Sequence, residues 1–145
     1  MKDKLQFYIN GSWVDSESNE KIEVINPANE ELIGHVTAGT KGDIDKAVSA
    51  AFQAFSSFQY TSKEERIELL NNIIFEYENR YDDFVQVITE EMGAPLWLSE
   101  KAQASTGIKN IHETLDALKD YQFEKAEGDY TLIKEPIGVV GMITP

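Results

Sequence analysis

Along the first forty residues apolar and polar positions alternate in short runs. Leu5, Phe7 and Ile9 fall on one side, Asn10-Gly11 interrupts, and Trp13-Val14 resumes. Asn-Gly between two such runs predicts a hairpin, because both residues tolerate the positive φ of the favoured tight turn. After the polar stretch "DSESNEK", Ile22 and Val24, the turn "NPAN" (26–29) and the run from Leu32-Ile33 to Val36 predict further short strands, so the segment reads as a small antiparallel β unit. From Thr40 the period lengthens. Thr40-x-x-Asp43 has the form of a capping box, and Ile44, Ala47, Val48, Ala51, Phe52, Phe55 and Phe58 recur at steps of three and four, which predicts an amphipathic helix. Ser62-x-x-Glu65 opens a second helical pattern through Ile67, Leu70, Ile74, Tyr77, Tyr81, Phe84, Val85 and Ile88, read as one long helix stopping at Gly93 before Pro95. A third runs from about Leu96 towards Tyr121, with Ile108, Ile111, Leu115 and Leu118 its most periodic part. "FEKAEGDY" (123–130) then breaks the pattern, Gly128-Asp129 reads as a turn, and Thr131 to Ile133 as a strand. The run Ile137 to Ile143, wholly apolar or glycine, predicts a strand covered on both faces, as in a parallel sheet.

Composition narrows the function classes. The 145 residues carry 26 acidic against 13 basic side chains, a formal charge of −13 that disfavours a nucleic-acid partner. No apolar run approaches membrane-spanning length and the N-terminus lacks the apolar core of a signal peptide, so the chain is read as cytoplasmic, with no membrane partner. With no cysteine there is no disulfide, thiolate metal site or cysteine nucleophile within these residues.

Few residues form a chemical constellation by themselves. His35 and His112 lie far apart without a second ligand at metal-binding spacing, and read as surface or capping histidines. Glu90-Glu91 are adjacent on a predicted helix, so their side chains diverge and do not converge on one atom. Gly138 and Gly141 sit inside a strand pattern rather than after one, unlike a dinucleotide fingerprint. From the residues alone the reading is an α/β piece with three helices and an unfinished sheet.

Five motifs occurring in order nevertheless resemble one family: "FYINGSWVDS" (7–16), "INPANEELIGHV" (25–36), "DIDKAVSAAFQAF" (43–55), the Arg66-bearing helix ending in "EEMGAP" (90–95), and "KEPIGVVGMITP" (134–145). Together they resemble the N-terminal part of the NAD(P)-dependent aldehyde dehydrogenases. The resemblance implies an α/β fold class: an N-terminal antiparallel β unit, three long helices and the first strand of a doubly wound cofactor-binding sheet. Residues 1–145 would be the N-terminal portion of the cofactor-binding domain, with 123–134 part of a β arm that bridges subunits of a homo-oligomer, dimer or tetramer, and with the catalytic domain absent.

The same resemblance implies that Ile143, Thr144 and Pro145 lie along NAD or NADP, and that Gln103, Thr106 and Asn110 wall the aldehyde entrance. It also implies that backbone oxygens of Val24 and Ile25 with the Glu91 side chain hold a monovalent cation. The family's oxyanion-hole Asn, general-base Glu and nucleophilic Cys come further on, so no catalytic residue is assigned here and the chain alone is expected to be inactive, a truncated piece of a longer enzyme. The Lys that many members carry between Gly and Pro is Ala94 here. The alternative from another class is a non-catalytic binding or assembly module. An apolar strand such as 137–143 left unpaired argues against it, because four exposed side chains of this kind forfeit roughly 6–12 kcal/mol of burial.

Overall fold

The computed structural model describes residues 3–144. Three antiparallel hairpins flank a helical layer. Strands β1 (Gln6–Ile9) and β2 (Ser12–Asp15) turn through Asn10 and Gly11, both at positive φ (52° and 77°), as the Asn-Gly pair predicts. Strands β3 (Lys21–Ile25) and β4 (Leu32–Thr37) form a second hairpin, whose register shifts between Val24 and Ile25. The two hairpins are separate two-stranded sheets rather than one. The Lys4 amide donating to the His35 carbonyl (2.8 Å) and the Thr37 hydroxyl donating to the Leu5 carbonyl (2.8 Å) tie them together.

Helix α1 (Lys41–Phe58) starts on the expected capping box, with Thr40 as N-cap. The Asp43 carboxylate is nearly enclosed, and it does more than cap. It accepts from the Ser16 hydroxyl (2.7 Å), the Thr40 amide (3.0 Å) and hydroxyl (2.9 Å), and the Glu17 amide (3.2 Å), fastening the chain after β2 to the start of α1. The Ser16 hydroxyl first, and then the Thr40 amide, hold the Asp43 pKa down at about 2 against an ordinary 3.8. A carboxylate depressed by folding stabilises the native state fully above its unfolded pKa, and that contribution disappears as pH falls through the folded value. Urea denaturation of Asp43→Asn is therefore expected to lose much of the wild type's steepening stability loss between pH 3.8 and about 2; parallel pH profiles for the two proteins would refute the clamp.

The second helical pattern is not one helix. Helix α2 (Lys63–Asn79), again opened by a capping box on Ser62 and Glu65, ends at Arg80 (φ −115°, ψ 19°), and α3 (Tyr81–Met92) restarts beyond it. The break lets Phe84 fold back and stack on Tyr77, ring centroids 4.3 Å apart and planes 14° from parallel, while Ile74 and Val85 are both buried. The third pattern is likewise interrupted: a short turn α4 (Leu96–Leu98) leads through a π-helical segment (Ser99–Ala104) into α5 (Ser105–Asp120). Helix α5 packs on α2, and the π segment packs on α3.

Residues 124–127, a break in the apolar pattern but within the 123–134 β segment that the resemblance implies, form strand β5 (Glu124–Glu127), paired with β6 (Tyr130–Ile133) across the turn containing Gly128 at φ 64°. The expected strand at 137–143 forms no ladder. Among the described residues no strand lies beside it, and without a partner its backbone groups gain nothing from a fixed register. Its apolar side chains are open, Ile143 reaching 98 % exposure.

Candidate functional site

Three groups of residues come into question, and each is positioned by a different local device. The first joins the end of β3 to the end of α3. Val24 and Ile25 sit at the register shift, where a bulged strand releases backbone groups from the ladder. The following turn is held from within: Asn26 Oδ1 accepts from the Ala28 amide (2.9 Å), Asn29 Oδ1 from the Glu31 amide (3.1 Å), and the Asn26 amide donates to the Glu31 carbonyl (2.9 Å). Helix α3 ends on Gly93 in the left-handed conformation, φ 63°. A Cβ at Gly93 would lie 2.6 Å from the Ala28 amide nitrogen and 3.0 Å from Pro27 Cγ, so the helix terminus rests directly on this turn. Glu91 is exposed in the last turn of α3, two residues before the Gly93 that rests on this turn. The negative end of a helix macrodipole, a carboxylate and carbonyl oxygens are each ligand types that suit a hard cation of low charge. Among the described residues no cluster of three or more His, Asp or Glu side chains could hold a metal, so any ion here would depend on backbone oxygens.

The second group lies on the π segment and α5. Ala104, Gly107, Ile111 and Leu115 form the inward stripe, and Gly107 allows the close approach: a Cβ there would meet the Tyr77 hydroxyl at 2.5 Å. Gln103, Thr106 and Asn110, at steps of three and four on another face, are all exposed. The π segment that sets their direction is pinned from α2 and α3. The Tyr77 hydroxyl donates to the Ala104 carbonyl (2.8 Å), the Tyr81 hydroxyl to the Glu100 carbonyl (2.5 Å), and fully buried Ser99 is hydrogen-bonded to Thr89 (2.8 Å). Burial pushes the Tyr77 phenol up, with Tyr81 adding to it, so it remains a donor at neutral pH. The Thr106 hydroxyl donates back to the Ala102 carbonyl (2.7 Å), leaving its lone pairs for a ligand. These pins were not foreseen. Mid-pattern Gly107 was the one available signal of a close approach.

The third group is the chain after β6. Ile143 and Thr144 are exposed on an extended segment, Gly138 takes φ 126°, and a Cβ at Gly138 or Gly141 would meet nothing within 4 Å. Pro145 lies outside the described residues. An open apolar segment fits one edge of a flat cofactor and encloses none of it.

The family model of the aldehyde dehydrogenases, described as "Aldehyde dehydrogenase family", matches residues 13–145. The chain belongs to the aldehyde dehydrogenase family. A Staphylococcus aureus relative (strain bovine RF122 / ET3-1) assigned to the aldehyde dehydrogenases is 54 % identical over 145 residues, which is 100 % of this chain and 30 % of the relative. The chain therefore spans less than a third of the length of the curated relatives it matches. Among solved structures, the aldehyde dehydrogenase of Bartonella henselae superposes with a TM-score of 0.86 at 37 % identity, covering 89 % of this chain and 28 % of that one. A mutant of aldehyde dehydrogenase C from Pseudomonas syringae, solved with NAD+ and octanal, superposes with a TM-score of 0.82 at 35 % identity, covering 85 % and 25 %. The hairpins and helices above are thus a partial aldehyde dehydrogenase fold. No helix among the described residues is long and apolar enough to cross a membrane.

Proposed function

We propose that these residues are the N-terminal portion of an enzyme that oxidises aldehydes to carboxylic acids with NAD or NADP through a cysteine thiohemiacetal. The observation that carries this reading is the family match running through residues 13–145, and the relative solved with NAD+ and octanal supports the cofactor and substrate class. When bound, the nicotinamide accepts the hydride that leaves the substrate carbon. The chain's own residues supply surroundings rather than chemistry. Ile143, Thr144 and Pro145 contribute an edge along the cofactor, as ligands meet the carboxyl ends of strands in open α/β sheets. Gln103, Thr106 and Asn110 wall the aldehyde path, held in direction by the tyrosine-pinned π segment. Val24, Ile25 and Glu91 hold a monovalent cation that secures the α3 terminus on the β3–β4 turn. The hairpin within 123–134 bridges subunits in a homo-oligomer, and the enzyme works in the cytoplasm.

With no cysteine among its 145 residues, the chain does not contain the nucleophile this chemistry requires. The direct test joins residues 1–145 to the part of the Staphylococcus aureus relative that follows its matching segment. The fusion is expected to reduce NAD+ with octanal, and the 145-residue chain to give no turnover. A folded, soluble fusion without activity would overturn the proposal, as would turnover by the short chain.

A further inference from the structure

A cleft of about 670 Å³ opens where the α1–α2 turn and the first turn of α2 meet the end of α5 and the roots of β5 and β6. Its size lies within the usual range for small-molecule sites. Three cations line it, and each is held by uncharged partners. Arg66 Nε donates to the Thr61 hydroxyl (2.9 Å) and a terminal nitrogen of Arg66 to the Gln59 carbonyl (3.2 Å), with the guanidinium 5.4 Å from the centre of the Phe123 ring. Lys63 Nζ donates to the Lys119 carbonyl (2.7 Å), and Lys134 Nζ lies 4.2 Å over the Tyr121 ring. Glu124 and Glu135 line the same cleft, yet among the described residues no carboxylate oxygen comes within ion-pair distance of these three cations.

Most other cations are placed differently: Lys21, Lys41, Lys46, Arg80, Lys109, Lys119 and Lys125 each hold a carboxylate. Lys4 and Lys101 form no such pair among the described residues, but neither lines this cleft. In a chain of formal charge −13, three cations without carboxylate partners gathered in one concavity are a local reversal of sign, and a cleft with low-dielectric walls focuses that field. Tyr121 and Phe123, in edge contact at 5.0 Å between centroids, supply an apolar wall beside the charges.

We propose that this cleft binds a small organic carboxylate, its charge among Lys63, Arg66 and Lys134 and its apolar body against Tyr121 and Phe123. The site is separate from the cofactor edge, the aldehyde wall and the cation group; it shares Phe123, Glu124, Ile133 and Lys134 with the 123–134 hairpin proposed to bridge subunits, and it is tested on the 145-residue chain without that assembly. The test uses fluorine NMR of 4-fluorobenzoate with the 145-residue chain at low salt. Line broadening is expected to saturate, to be reversed by unlabelled benzoate, and to weaken as salt rises; 4-fluorobenzyl alcohol, the neutral counterpart, should show none. Lys63→Gln/Lys134→Gln should raise the dissociation constant about tenfold or more, which corresponds to about 1.4 kcal/mol. Lys134→Gln alone, which removes no hydrogen bond, should raise it severalfold, whereas Lys125→Gln on the nearby hairpin should leave it unchanged. Non-saturating broadening, equal response to the alcohol, or full affinity in Lys134→Gln would each overturn the site.

Discussion

Purified at micromolar to millimolar concentrations, the 145-residue chain is expected to sediment as concentration-dependent oligomers rather than as a monomer. The reason lies in α1. Its apolar stripe is as regular as the sequence predicts, yet Ile44, Val48, Phe52 and Phe58 remain 51–68 % exposed, because the helix meets β1 and no layer of the described residues covers the stripe itself. Covering four such side chains is worth roughly 6–12 kcal/mol, which is comparable to the roughly 5–15 kcal/mol of a whole domain. Open apolar surface of that extent drives association at these concentrations. Replacing Val48 and Phe52 by Asp should shift sedimentation velocity profiles strongly towards monomer while helical circular dichroism persists. Val140→Ser and Met142→Ser, outside any helix or strand, should shift them less, since a segment without helix or ladder hydrogen bonds gives up more ordering entropy when it is covered. A wild-type monomer across the concentration range would end this expectation and favour a self-sufficient assembly module.

What could be read from the sequence depended on whether local chemistry alone decides the outcome. Asn10-Gly11, Thr40-x-x-Asp43 and Ser62-x-x-Glu65 each satisfy their own backbone groups, and all three form as expected. The break at Arg80 was hidden because Ile74, Tyr77, Tyr81, Phe84 and Val85 keep a helical step across it. Only the tertiary gain from stacking Phe84 on Tyr77 reveals why the axis turns. The π segment was hidden for a similar reason: its pins come from tyrosines 19 and 27 residues away. Strand β5 carries Glu-Lys-Ala-Glu and faces solvent on most sides, so it has no alternation to detect. The run at 137–143 shows the converse error, an apolar pattern whose element requires neighbours that no described residue supplies. As for the candidate sites, the residue types at 24, 25, 103, 106 and 110 are unremarkable, and only the family resemblance singled them out. The structure adds the devices behind them, namely the bulge, the hydroxyl pins and the helix terminus seated on a turn.

That seated terminus carries the other large effect. Gly93→Ala is expected to be among the most damaging single changes in the chain, although it adds one methyl group. Alanine at φ 63° is strained by about 1–3 kcal/mol wherever it occurs. At this position the methyl would also stand 2.6 Å from the Ala28 amide nitrogen. That nitrogen cannot simply withdraw, since its N–H donates to Asn26 Oδ1 at 2.9 Å and moving it opens the turn. The collision must therefore either lift α3 from the β3–β4 turn or break the turn's internal bonds. Gly128→Ala separates the two contributions, because Gly128 has nearly the same φ, 64°, with nothing within 4 Å of its added Cβ. Urea denaturation should show Gly93→Ala to be clearly less stable than Gly128→Ala, and amide exchange at Ala28 should accelerate in the first variant alone. Equal stability losses would mean that the contact between the α3 terminus and the turn is not held in solution, and would count against the proposed cation site of Val24, Ile25 and Glu91, which needs that contact.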